Sequence, residues 1–372
     1  MKIGINARFL IHPYTGIGQY TRYLIEALAA MDRTNEYFIF TPELVELDLP
    51  DHFHQLRVQE KLSYSPSIRK AHWEHTLVPQ ELRKWKVDLA HFLYPGNPWH
   101  RLPFPTVVTV HDVIPWKFPG YRQRWHSKLY QFYARLALKK ADHLITPSLF
   151  SQKEVSEVLK FPVKNITTIP HGVPPIFPLQ APSIPLRRDF LLYVGGYDER
   201  KNVPRLIKAF LKTVANIYPV DLIFVGGKNK ELESLITPEY APHVRPDIPV
   251  QPKGHIIFTD PLEDSERVTL YKQAKMLVHP SLYEGFNLPI LEAMSAGLPV
   301  VASDIPVNHE VTGGAGVFFD PLSIDSIGNA AVRVLNDKTL QRDLAQRGRE
   351  KSREYRWEKS AEDTLAVYNL FT

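Results

Sequence analysis

The chain has 372 residues, 44% of them hydrophobic, with 45 Lys and Arg against 40 Asp and Glu and no cysteine. That length and apolar content allow buried cores in two or three domains and exclude a disordered or fibrous chain, while the missing cysteines exclude disulfides, thiolate nucleophiles and cysteine-bound zinc. No apolar run approaches the roughly 18 residues of a membrane-spanning helix and the N-terminus reads as a strand rather than a signal peptide, so the expected location is the cytoplasm, with peripheral attachment to the inner membrane face left open.

Lys2 to Phe9 predicts a first strand, and Tyr20, Tyr23, Leu24, Ala27, Leu28 and Met31 recur at the spacing of one helix face. Between them Thr15-Gly-Ile-Gly-Gln19 is a strand-to-helix turn of the kind that brings backbone N–H groups near a phosphate, which makes Gly16 and Gly18 candidate contacts; a simple turn explains them equally well. His72-Trp-Glu-His75 is one residue short of either zinc-protease spacing and reads as a helix surface. Asp88-Leu-Ala-His-Phe92, Thr106 to Val110 and His143 to Thr146 predict further short buried strands, so the first half is a doubly wound α/β domain.

Charge is spread unevenly. Residues 1–180 hold 22 Lys and Arg against 15 Asp and Glu, a balance of +7, whereas the remainder holds 23 against 25, a balance of −2. No acid lies between Asp112 and Asp142, where Lys117, Arg122, Arg124, Lys128, Arg135, Lys139 and Lys140 interleave with Trp116, Phe118, Tyr121, Trp125, Tyr130, Phe132 and Tyr133. Either residues 116–140 form an amphipathic helix whose aromatics face the core, or they rest on an anionic membrane with rings at headgroup level. No RNA- or DNA-binding motif accompanies the segment, and nucleic acid is not an expected partner.

From Gly172 to Arg188 five prolines fall among seventeen residues without apolar periodicity, which marks a linker over 173–188 between domains spanning 1–172 and 189–355. The second domain repeats the α/β pattern, with predicted strands at Phe190–Val194, Asp221–Val225, Ile256–Thr259, Met276–His279, Pro299–Ser303 and Val317–Phe319. Near the end Trp357, Ala361, Leu365 and Tyr368 share a helix face. The fold class is therefore α/β, with two Rossmann-like doubly wound domains facing a cleft, and ligands in such sheets bind beyond the carboxyl ends of the strands.

The stretch from Tyr283 to Pro306 carries the sharpest chemistry. Pro289 suits a first helical position and Ile290, Leu291, Ala293 and Met294 continue as helix formers, so a helix is expected to begin near Leu288 with Glu284 in the loop ahead and Glu292 one turn in. Free N–H groups of residues about 286 to 289 would then face an anion such as a diphosphate, and Gly285 permits close backbone approach. Glu292 is placed to accept hydrogen bonds from ribose hydroxyls. Read without context, Glu284 is equally a loop carboxylate and Glu292 a helix-surface residue.

This stretch resembles the donor-site motif of the retaining nucleotide-sugar glycosyltransferases of family 4, which have the GT-B fold. Tyr193-Val-Gly-Gly-Tyr-Asp-Glu-Arg-Lys-Asn202, Val278-His-Pro-Ser281, Pro299-Val-Val-Ala-Ser303 and Phe319-Asp-Pro321 follow in the family's order and spacing, densely from about residue 165 onward and more sparsely before it. The resemblance implies a retaining, metal-independent hexosyltransferase. It would carry mannose or glucose from a GDP- or UDP-sugar to a saccharide or lipid-linked acceptor, in polysaccharide or glycolipid biosynthesis, with no cofactor. It further implies that residues about 356–372 pack back on the first domain, that Lys201 pairs with the diphosphate, and that Glu284 contacts the sugar hydroxyls. Phe286, Asn287 and Leu288 would supply backbone contacts, and Phe258 and Thr259 would flank the base.

His111, at the carboxyl end of Thr106–Val110, matches the histidine that bonds the donor sugar near the reacting centre, and His171 matches a structural position at the hinge. Many relatives carry an arginine where this chain has Gly196, so Arg200 or the acceptor would supply that charge. Departure from the usual pattern over Asp260 to Glu266 leaves base preference open.

Other chemistries fit less well. A glycosidase needs two carboxyls facing one another about 5 to 9.5 Å apart across a sugar, whereas here one precedes a helix and the other lies inside it. No Asp-x-Asp pair is present to hold a divalent ion. An epimerase on the same architecture would act without an acceptor, and a binding module without turnover would need to have lost Lys201 or the glutamates.

Overall fold

The computed structural model describes residues 1–60, 65–118, 125–174, 188–226, 254–259 and 262–372, with side chains of the helix Trp125–Leu138 from residue 131 onward. Most of the expected 173–188 linker, and Asp260 and Pro261, lie outside the described residues. The chain divides into two compact units, Met1–Gly172 with Tyr355–Thr372, and Val173–Glu354.

The first unit is built on seven parallel strands, β1 (Lys2–Asn6), β2 (Glu36–Thr41), β3 (Phe53–Arg57), β4 (Leu89–Phe92), β5 (Thr106–Thr109), β6 (His143–Thr146) and β7 (Ile166–Thr168). Their order is β3-β2-β1-β4-β5-β6-β7, so the winding direction reverses between β1 and β4. Short runs such as Tyr37-Phe-Ile-Phe40, buried on both faces, are what an inner parallel strand requires. The helix Gly16–Met31 buries Tyr20, Tyr23, Leu24, Ala27 and Leu28 against this sheet. Trp357, Ala361 and Tyr368 of the terminal helix Trp357–Tyr368 join the same core, and Ser360 Oγ donates to the Pro170 carbonyl at 2.6 Å.

Three sequence expectations for this unit change. β1 stops at Asn6 rather than Phe9, because the chain turns into a tight 3-10 segment at Arg8–Ile11, with Leu10 N–H donating to the Ala7 carbonyl. The His72–His75 stretch is not a surface: Trp73 and Glu74 are buried where the helix widens into a π-helical turn over Trp73–Leu77. Phe132 and Tyr133 do not face the core; they are exposed, as is Leu136, while Gln131, Ala134, Ala137 and Leu138 of the same helix point inward.

The second unit holds six parallel strands, β8 (Phe190–Val194), β9 (Asp221–Val225), β10 (Ile256–Phe258), β11 (Met276–His279), β12 (Val300–Ser303) and β13 (Val317–Phe319), in the order β10-β9-β8-β11-β12-β13. This repeats the first unit's winding and puts its reversal between β8 and β11. Two aromatic-rich strands, β8 and β9, pack Tyr193 and Phe224 into a core with Val203, Leu206, Ile207 and Phe210 of the following helical segment.

Candidate active site

The chain leaves β8 through Gly195, whose φ of +153° and crowding by the Tyr193 hydroxyl suit glycine. Tyr193 OH donates to the Gly196 carbonyl at 2.5 Å, and Gly196 itself is exposed. A 3-10 turn at Glu199–Lys201 follows, ended by Asn202 in the left-handed region (φ +57°), where Asn is better tolerated than most residues. Asn202 Nδ2 donates to the carbonyls of Pro280 (3.1 Å) and Pro321 (2.7 Å), tying this turn to the ends of β11 and β13.

That clamp brings Arg200 and Lys201 onto Glu284. Lys201 Nζ lies 2.6 Å from Glu284 Oε1 and Arg200 Nη1 2.8 Å from Oε2; Arg200 also reaches the Tyr283 carbonyl (3.3 Å) and Asp198 (3.1 Å). His279, fully buried at the end of β11, stands 3.3 Å from Glu284 and 3.0 Å from Ser281 Oγ. Burial pushes the Glu284 carboxyl up, but the charges of Lys201 and Arg200 more than offset this and hold it well below the ordinary range. Burial drives His279 down against the opposing pull of Glu284.

The helix Leu288–Ala296 begins as expected and is stopped by Gly297 at φ +72°. Its N-cap, Asn287, is left-handed (φ +88°) and donates through Nδ2 to Asn308 Oδ1 at 2.9 Å, while Asn287 Oδ1 is buried without a hydrogen-bond partner among the described residues. Within the expected row of N–H groups over 286–289, Pro289 supplies none, and the next residue, Ile290, donates its N–H to the Asn287 carbonyl. Gly285 and Phe286 sit in the buried loop joining Glu284 to the helix. Glu292 is not on the helix surface: it is buried, accepts from Tyr271 OH at 2.6 Å, and lies 3.9 Å from Arg267. Burial raises its carboxyl against the opposing pull of Arg267 and Tyr271.

Phe258 stacks on Phe224 with ring centres 4.8 Å apart, and Tyr197 lies 6.4 Å from each. Thr259 N–H donates to the Phe224 carbonyl, and its buried Oγ1 has no hydrogen-bond partner among the described residues. In the first unit Thr15 caps the helix at Gly16 by accepting from Gly18 N–H (3.1 Å), which removes that donor from any ligand. A Cβ on Gly18 would stand 2.0 Å from the His12 carbonyl oxygen, so glycine is required there by packing; Gly16 is exposed with open space around it. His111 Nε2–H donates to the Leu93 carbonyl (2.9 Å) and the ring meets Tyr20 edge-on at 4.7 Å. Burial lowers His111 to about 4, and His171, 5.5 Å away, is also pushed well below 6.5.

Unit two thus gathers Arg200, Lys201, His279 and Glu284 at the reversal of its sheet, ahead of a helix N-terminus. Residues 14–176 match the family described as Glycosyltransferase Family 4, and residues 179–351 match Glycosyl transferases group 1. The chain belongs to the family 4 glycosyltransferases of GT-B fold. It is a glycosyltransferase. O-antigen chain mannosyltransferase B of Escherichia coli is 26% identical over 392 residues, covering all of both chains. Sucrose-phosphate synthase from Thermosynechococcus elongatus superposes with a TM-score of 0.78 at 24% identity, covering 100% of this chain and 98% of that one. Anabaena HepE in complex with UDP-glucose gives 0.70 at 15% identity, covering 98% and 99%. His279, Ser281, Asn202, Tyr271 and Arg267 had no assigned role in the sequence; His279, Ser281 and Asn202 stood inside quoted motifs, but the contact of His279 to Glu284 and of Ser281 to His279 depends on the third dimension.

Proposed function

We propose that the chain transfers mannose from a nucleoside-diphosphate sugar to a saccharide acceptor with retention of anomeric configuration and without a metal. The convergence of Lys201 and Arg200 on Glu284 ahead of the helix Leu288–Ala296 carries this reading. As the bond from the anomeric carbon to the phosphate oxygen breaks, negative charge grows on the diphosphate, and two fixed cations and a helix N-terminus stabilise it as it develops. The acceptor hydroxyl forms the new bond and its proton passes to the departing phosphate. Glu284 holds the sugar hydroxyls, Glu292 the ribose, Phe258 and Thr259 the base, and His111 orients the sugar. The mannosyl assignment and the place in polysaccharide assembly rest on the O-antigen mannosyltransferase relative, and the nucleotide-sugar donor on the UDP-glucose held by the HepE neighbour.

The test is a donor screen of UDP- and GDP-linked mannose and glucose with and without a chelator, reading the anomeric configuration of the product by NMR. Hexose transfer with retention in the presence of chelator is expected; an inverted product or a strict metal requirement would refute the mechanism.

A second reading concerns location. The helix Trp125–Leu138 exposes Phe132, Tyr133 and Leu136 beside exposed Lys139 and Lys140, in a segment whose nearest acids are Asp112 and Asp142. This combination of apolar and cationic surface fits an anionic membrane face and favours peripheral attachment at the cytoplasmic side. No helix of the described residues is long and apolar enough to cross a membrane.

A further inference from the structure

The helix Asp264–Gln273 buries Val268, Thr269, Leu270 and Tyr271 and packs against the helix Leu288–Ala296, which carries Glu292. Arg267 and Tyr271 are four residues apart, so they share one helix face, and that face meets Glu292. Tyr271 O–H donates to Glu292 Oε2 at 2.6 Å, whereas Arg267 Nη2 stands 3.9 Å from Oε1, beyond hydrogen-bond length. Arg267 is itself held by Asp264, 3.0 Å away.

The two oxygens of this carboxyl are therefore unlike. Oε2 is taken by a fully buried phenol, while Oε1 makes no hydrogen bond among the described residues. Burial, then the charge of Glu292, pushes the Tyr271 phenol well above its ordinary range, so it keeps its proton and remains the donor of the pair. Charge on Glu292 is not required. Ionised, Oε1 accepts from a hydroxyl; protonated, with the proton on Oε1, it donates to one, and Oε2 accepts from Tyr271 in both states. The last torsion of a glutamate has broad wells, and the Tyr271 bond narrows them before a ligand arrives, so less freedom is lost on binding.

A ribose brings hydroxyls to Oε1, whereas a sugar lacking them leaves that oxygen buried without a partner, and sites built to bond a hydroxyl reject the analogue without it. We propose that Tyr271 is a positioning residue of the donor site: it fixes the Glu292 carboxyl with Oε1 left for the ribose, and so makes the site selective for ribonucleoside over dideoxyribonucleoside diphosphates. The inference rests on the reading of Glu292 as the ribose contact.

Full-length protein and Tyr271→Phe are titrated by calorimetry with UDP, GDP and their 2′,3′-dideoxy counterparts. The unmodified chain should bind the better ribonucleotide about tenfold or more tighter than its dideoxy form; in Tyr271→Phe the ribonucleotide should weaken about fivefold and the dideoxy form stay within about twofold. In turnover the loss should appear in the donor KM rather than in kcat, because the ribose lies across the diphosphate from the anomeric carbon. Weakening of both nucleotides by the same factor would make Tyr271 a packing residue, and an unchanged ribose preference in Tyr271→Phe would remove it from the site; either result overturns the inference and leaves Glu292 in its role. A dideoxy form bound as tightly as the ribonucleotide by the unmodified chain overturns the ribose reading of Glu292 and this inference with it, while absence of nucleotide binding overturns the donor-site reading as a whole. If Tyr271→Phe does not fold, a crystal structure of the unmodified protein with the bound nucleotide decides: a ribose hydroxyl on Oε1 with Tyr271 still on Oε2 is expected, and a ribose hydroxyl on Oε2, or Tyr271 turned away from Glu292, refutes it.

Discussion

Lys201 and Glu284, 83 residues apart in the chain, are joined by a 2.6 Å contact between Nζ and Oε1 with both side chains buried. The lysine assigned to the diphosphate is therefore already held by a carboxylate, and Arg200 is held by the same group at 2.8 Å. Donor binding must redistribute these charges rather than fill an unpaired cationic pocket.

Lys201→Ala and Glu284→Ala should each lower turnover by about 10² or more, equivalent to losing roughly 3 kcal/mol of aimed electrostatic stabilisation. Steady-state rates with a saturating donor test this; unmodified rates in both variants would remove these residues from the site.

Glu284→Gln separates charge from shape. With the carboxylate neutralised, Lys201 and Arg200 are released toward phosphate oxygens, so affinity for UDP or GDP should rise several-fold while turnover falls. Calorimetry of nucleotide binding reads the first effect, and weaker nucleotide binding would mean that Glu284 does not compete for the two cations.

The acid sensitivity of the first unit should come from its buried histidines. Burial lowers His91 to about 3 and His111 to about 4, and His171 well below 6.5. The unfolded chain takes up protons at these sites as pH falls below about 6.5 while the folded chain does not, so stability declines from there toward pH 4. Glu284 behaves differently: its carboxyl is depressed from 4.5, so its contribution is complete above that pH and is lost only as pH falls through the lower folded value. Melting temperature should therefore already drop between pH 6.5 and 5, and His91→Asn should flatten that slope.

Gly18→Ala forces a Cβ to within 2.0 Å of the His12 carbonyl oxygen and should destabilise by about 1–3 kcal/mol. Gly16→Ala meets nothing within 4 Å and should leave the melting temperature in place while raising the donor KM. An unchanged KM would return Gly16 to the role of a plain turn residue.

Vesicle attachment, if carried by the helix Trp125–Leu138, should weaken with salt and fall further in Phe132→Ser/Leu136→Ser. Co-sedimentation with anionic and neutral vesicles at low and high salt measures both effects; equal recovery with neutral lipid would exclude the electrostatic part.

Local chemistry was sufficient for much of this. Strands buried on both faces announce themselves as short apolar runs, which is why β6, β8, β9, β11 and β13 have the ends expected of them. Pro289 and Gly297 punctuate the helix Leu288–Ala296, so the position of Glu284 ahead of it was legible too. The strands Phe53–Arg57 and Ile166–Thr168 were not, because nothing in their residues separates them from turns or helix ends until neighbours pair with them, whereas Glu36–Thr41 carries the apolar run of an inner strand and was legible though not assigned.

The sequence by itself determined the element types, the two doubly wound halves and the motif that carries the family, because each depends on residues close together in the chain. Tertiary structure alone decided that Glu284 holds Lys201 and Arg200, that Glu292 is buried under Tyr271, that Trp73 and Glu74 turn inward, and that Phe132 and Tyr133 turn outward. Each of those contacts joins segments whose distance is set by strand order and helix register, and pairing across non-consecutive strands such as β8 and β11 leaves no trace in local spacing.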